Sequence, residues 1–242
     1  MSEPTAHLQA LRSSTADLVR DLTTTQWSDA DVAAPSLCEG WTRGHVLTHL
    51  ARNADGISDT LAGALRGEIV ARYQGGTDAR NAAIDDGAGR PYAALVADVR
   101  DSADRLDRMF GAIGDADGWA LPTEHGDPAE DWVFRRWREV EVHRVDLAGD
   151  YTPERWPAEF VTTLLPEALD GHGSRVAKPV RVRVTADGSV AAEHAGVDRM
   201  YGEGDDPVEV SGPDWAVLAW LVGRPSAAEG ALSATPPLDS WR

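Results

Sequence analysis

Glu139 and His143 stand four residues apart in the stretch DWVFRRWREVEVHRVDL, residues 131–147, which contains neither Gly nor Pro. At about 100° per residue in a helix they lie roughly 40° apart on one face, with Trp132 between them. A carboxylate and an imidazole so arranged can fill two corners of a metal site. Glu141, two residues before His143, points to nearly the opposite side and cannot share a ligand with it. Val133, Val140 and Leu147 form an apolar stripe beside the pair, so the helix packs next to these groups and does not leave them fully exposed.

Spacing alone decides nothing. A chain with 40 acidic residues and 7 histidines contains about one acid-x-x-x-His pair by chance, so such a match needs context. The other such pair, Glu3 and His7, falls in a terminal turn and reads as background. The pair at 139 and 143 needs a third ligand from elsewhere.

The elements that must supply it follow from periodicity. From about Pro4 to Thr23, Leu8, Leu11, Leu18, Val19 and Leu22 repeat at helical spacing. A polar, Pro-containing connection leads to Thr42, placed as an N-cap. Val46, Leu47, Leu50, Ile57, Leu61 and Leu65 then predict a second long helix. His45, His49 and Asn53 run along the edge of its apolar face, so either histidine can look into the core. The plain alternative for each is a hydrogen-bonded residue at the core edge. A short helix is expected over Asp78–Ile84 and a third long one from Tyr92 to Ile113. The stretch 131–147 closes a four-helix bundle of the kind that builds a metal centre in its core.

After Gly149 the pattern changes. Pro153 and Pro157 mark a linker, and Pro157–Asp170 is expected to be helical. VRVRVTADG, residues 180–188, alternates like a half-buried strand ending in an Asp-Gly turn. Its expected hairpin partner is Ser189–His194, with a third strand over Asp206–Val210. Pro213–Val222 reads as a buried helix, and Thr235–Arg242 as Pro-rich coil. The predicted class is α+β: a helical bundle over residues 1–150 and a small α+β domain over 155–242 that contributes to the active-site cleft.

Composition narrows the functions. The formal charge is −17 and the pI about 4.7, with no Lys/Arg cluster, which argues against nucleic-acid binding. The single cysteine, Cys38, excludes an internal disulfide and a Cys-rich zinc site and fits a reducing compartment. Met1–Gln9 lacks the basic start and apolar run of a leader, and Trp215–Val222 is too short to span a membrane. The expectation is a soluble cytoplasmic protein.

Three segments together resemble the mycothiol-dependent maleylpyruvate isomerase family, whose N-terminal part is a DinB-like metal-binding four-helix bundle. They are EGWTRGHVLTHLARNADG at 39–56, REVEVHRVDL at 138–147 and LVGRPSAAEG at 221–230. The resemblance implies a zinc ion on His49, Glu139 and His143, choosing His49 over His45. It implies a catalytic, substrate-facing arginine at Arg224. ARN at 79–81 is similar too, and makes Arg80 a looser candidate for substrate binding. Cys38 matches no catalytic position.

The implied chemistry is coherent. A His₂Glu set leaves zinc a position for a thiolate, and zinc deprotonates a bound thiol near neutral pH. Reversible addition of that thiolate would let the cis double bond of maleylpyruvate rotate to give fumarylpyruvate. With one cysteine in the chain, a small-molecule thiol, mycothiol, is the economical source, and the dicarboxylate substrate calls for arginine. Two other functions remain open: a mycothiol S-transferase acting on another electrophile, and a non-catalytic binding module on the same scaffold. Bland readings stand beside the sharp ones. Arg224 could cap a helix C-terminus, Trp41, Trp132 and Trp137 could be core packing, and Cys38 could itself be a nucleophile near a helix start.

Overall fold

The computed structural model describes residues 3–171 and 178–238 and divides into two compact units, 1–148 and 149–242. The class is α+β. The first unit is entirely helical: α1 (Glu3–Thr24), α2 (Asp29–Val32), α3 (Arg43–Leu65), α4 (Gly76–Ala88), α5 (Tyr92–Asp115) and α6 (Asp131–Asp146). The four long ones form the bundle. α3 packs most extensively on α5, and α1 on α6. Leu18, Leu47, Leu50, Ile57, Leu61, Leu95, Phe110 and Val140 are all buried in its core.

Two local devices set where α3 and α6 carry their functional groups. Thr42 caps α3: its side chain accepts from the His45 amide, and the His45 ring answers the Thr42 amide. Arg43, the first residue of α3, reaches the free carbonyls that end α6. Its Nε donates to Leu147 O at 2.6 Å and its Nη2 to Ala148 O at 3.2 Å. The start of α3 is thereby tied to the end of α6. Glycine matters at two positions of α3, where a Cβ would stand 2.1 Å from Ala88 O at Gly44 and 2.3 Å from Arg72 O at Gly56. Glycine at these two positions lets the end of α4 and the chain leading to it lie this close to α3.

The second unit holds α7 (Ala158–Asp170), β1 (Val180–Val184), β2 (Asp198–Tyr201), β3 (Val208–Gly212) and α8 (Asp214–Leu221). Val180, Val182 and Val184 are buried while Arg181 and Arg183 point outward, the alternation expected of a half-covered strand. The sheet order is β2-β1-β3, with β2 antiparallel and β3 parallel to β1.

The expected hairpin is wrong in its partner. The Asp-Gly turn forms, with Gly188 at φ 74°. The residues after it are then captured by the buried Asp214 carboxylate, which accepts from Val190 N at 2.9 Å and Ala191 N at 2.6 Å. Ala192–His194 becomes a 3₁₀ turn and the pairing strand starts only at Asp198. The third strand begins two residues later than expected. Of the Pro-rich end, 239–242 lie outside the described residues.

Candidate metal centre

His49 comes from the second turn of α3, and Glu139 and His143 from successive turns of α6. Their nearest ligand atoms all lie within 4.8 Å of one another. Glu139 Oε2 sits between the imidazoles, 2.9 Å from His49 Nε2 and 3.2 Å from His143 Nε2. The two rings meet edge to face with centroids 4.6 Å apart. Glu141 faces the other way and is fully buried, accepting from Trp137 Nε1 at 3.3 Å. His45 is occupied as the α3 cap and turns its Nε2 to Asp85 at 3.6 Å. Of the Glu3/His7 pair, His7 packs against the rings of Phe134 and Trp137, and the Glu3 side chain lies outside the described residues.

Each ring is oriented from behind. His143 Nδ1–H donates to Asp146, a fully buried carboxylate, at 2.7 Å. The same Asp146 oxygen lies 3.1 Å from Cys38 Sγ, which donates to it. His49 Nδ1 accepts from Arg80 Nη2 at 3.1 Å, so the proton of that ring is on Nε2 and donates to Glu139. Arg80 leaves α4 and lies over the rings of Trp41 and Tyr73, 5.8 and 5.5 Å from their centroids.

The electrostatics follow from this arrangement. Burial pushes His49 down to about 4, against the opposing pull of Glu139, so the ring is neutral. Burial would raise Glu139, but the hydrogen bonds from His143 and His49 outweigh it and hold the carboxyl well below its usual range. Burial likewise opposes charge on His143, and the bonds to Asp146, Cys38 and Glu139 overcome it, keeping the ring protonated. Two carboxylates thus converge on one imidazolium, a cluster that a divalent cation can enter by displacing protons. The donor set of two imidazole nitrogens and one carboxylate oxygen suits zinc with a position left over. A second convergent group, Cys38, His143 and Asp146, shares His143 through its other nitrogen.

Three participants escaped the sequence reading. Asp146 carried a signal, since it lies three residues after His143 on the same helix. Cys38, 108 residues from Asp146, carried none. Trp41 is not core packing as expected: it is half-buried at the edge of the site, 5.5 Å from the His49 ring, whereas Trp132 and Trp137 are core. Arg224 belongs to the second unit. It follows Gly223, at φ 84°, and its Nη1 donates to Val222 O at 2.7 Å.

Comparison with known proteins bears on the family and the fold. The model of the mycothiol maleylpyruvate isomerase N-terminal domain matches residues 8–148. Two solved structures match nearly the whole chain: one described as the crystal structure of the mycothiol-dependent maleylpyruvate isomerase, the other as a mutant of it in which a histidine is replaced by alanine. Each is 26% identical, covers 98% of this chain and 97% of its own, and has a TM-score of 0.83. No curated protein matches.

Proposed function

Because the chain belongs to the mycothiol maleylpyruvate isomerase family, we propose that it converts maleylpyruvate to fumarylpyruvate, using zinc on His49, Glu139 and His143 and mycothiol as the thiol. The observation that carries this reading is the approach of two imidazoles and one carboxylate to within 4.8 Å, beside a guanidinium. A metal held by these residues would activate the bound thiol as a thiolate, the nucleophile that reversible addition to the conjugated double bond requires.

The chain's own residues prepare that chemistry. Asp146 holds the His143 proton on Nδ1, so the proton that a metal would displace is the one on Nε2. His49 would have to make the same choice: with Nε2 committed to a metal, its proton would sit on Nδ1, which could then accept nothing from Arg80. Arg80 would thereby be released from His49, with the aromatic faces of Trp41 and Tyr73 to keep it nearby. A freed guanidinium there suits a substrate carboxylate, which it can grip with two parallel N–H bonds. Arg224 is assigned the catalytic, substrate-holding role on the strength of its Gly223–Arg224–Pro225 motif.

Metal analysis of the purified protein, followed by incubation with mycothiol and maleylpyruvate, tests the proposal. The expected result is about one zinc per chain and fumarylpyruvate formed without net loss of thiol. A stable thioether with consumption of mycothiol would make the protein an S-transferase. No metal and no reaction would leave a binding module.

A further inference from the structure

Between α1 and α5 the bundle leaves a cavity of about 610 Å³, within the range of small-molecule sites. These two helices touch far less than α3 with α5 or α1 with α6. Leu11 and Val19 of α1 and Leu106 and Phe110 of α5 give the space apolar walls, and Arg136 of α6 reaches it from within the core.

Arg136 is the unusual member. It is only 2% exposed, and its Nη1 donates to Leu50 O at 2.9 Å and Asn53 Oδ1 at 2.8 Å. Both acceptors are neutral. Among the described residues neither Nε nor Nη2 has an acceptor, and no carboxylate pairs with this guanidinium. The other arginines of the wall are already matched: Arg12 with Asp107, Arg20 with Asp17 and Arg100 with Asp101. Burial lowers Arg136 to about 10, which still leaves it cationic at neutral pH. Glu139 attracts this cation through space without forming an ion pair with it, and the unused Nε and Nη2 keep part of a planar fork that matches a carboxylate.

We propose that this cavity binds an apolar monocarboxylate of the medium-chain fatty-acid class, its carboxylate on Arg136 and its hydrocarbon chain between α1 and α5. Arg136 is the one buried guanidinium of the lining, and the deep walls around it are apolar, which suits a single carboxylate on a hydrocarbon chain. The cavity shares no lining residue with the metal centre, although Arg136 feels the Glu139 carboxylate through space.

Calorimetric titration of the metal-loaded full-length protein with octanoate tests this. Saturable one-to-one binding is expected, with 1-octanol at least about tenfold weaker, since it lacks the charge-assisted contact. Arg136→Met should bring octanoate down to the octanol level. Ala103→Trp, which fills the cavity from α5, should weaken octanoate at least about tenfold while metal content and isomerisation stay as in the wild type. It decides the matter even where Arg136→Met does not fold. Equal binding of octanoate and octanol, no saturation, or wild-type octanoate binding by Ala103→Trp would each overturn the proposal.

Discussion

Asp146 stands one turn beyond His143 on α6, and its carboxylate takes the Nδ1 proton of that ring at 2.7 Å. One helical turn therefore carries both a candidate ligand and the group that sets its tautomer. Asp146→Asn should weaken metal binding by about 10- to 100-fold, the usual effect of losing such a partner. Competition against a chelator of known affinity measures it. Cys38→Ser should shift the affinity far less, because it leaves the Asp146–His143 bond in place; equal losses would show that the thiol matters as much as the carboxylate.

Glu139 and Glu141 make an internal control. Glu139→Gln removes the carboxylate that lies between both imidazoles, so zinc content should fall sharply. Glu141→Gln should keep zinc content at the wild-type level, since that side chain turns away from the imidazoles to Trp137 Nε1. Elemental analysis of the two purified variants reads the difference. Equal zinc loss would contradict the assignment.

Arg224→Ala should lower kcat by roughly 100-fold or more while zinc stays bound, if the arginine stabilises charge on the reacting substrate. Arg80→Ala should act chiefly on KM, as expected for a residue that holds a carboxylate throughout. Steady-state kinetics with parallel metal analysis separates these effects. Unchanged isomerisation by Arg224→Ala would remove it from the mechanism.

Gly56→Ala tests the close approach of Arg72 to α3. Helix propensity alone predicts a gain of about 1 kcal/mol from replacing a mid-helix glycine. The backbone oxygen 2.3 Å from the new Cβ reverses that sign, and a net loss of about 1–3 kcal/mol in urea denaturation is expected.

Asp198 gives a pH dependence with a definite sign. The bond to Arg181, helped by Arg183, lowers its carboxyl from 3.8 to about 2 in the folded chain. A depressed folded value means that the stabilisation is complete above about pH 4 and is lost as pH falls through about 2. The stability gap between wild type and Asp198→Asn should be flat near neutrality and close across that window. Because these groups are exposed, high salt should shrink the gap as well.

The long helices are legible in the sequence because their leucines and valines keep a 3.6-residue period, and Thr42 marks the start of α3. Glu139 and His143 are legible for the same reason, since helical geometry fixes their common face. Where long-range contacts decide, local pattern fails. The strand after β1 is delayed by Asp214, 24 residues beyond Val190, and no turn signal near Gly188 contains that information. Trp41 looks like any tryptophan near a helix start until α4 sets Arg80 against it. His45 and His49 are equivalent by periodicity, and what separates them is that the capping box engages His45.

His49 and Glu139 lie 90 residues apart along the chain. A metal joining them would act as a cross-link that closes most of the bundle into one loop. In the chain-entropy picture, closing a loop of that size removes about 4–5 kcal/mol of freedom from the unfolded state, the same order as a long-range disulfide. A chain with a single cysteine has no covalent staple of its own, so metal loading would set how often the bundle opens to a protease.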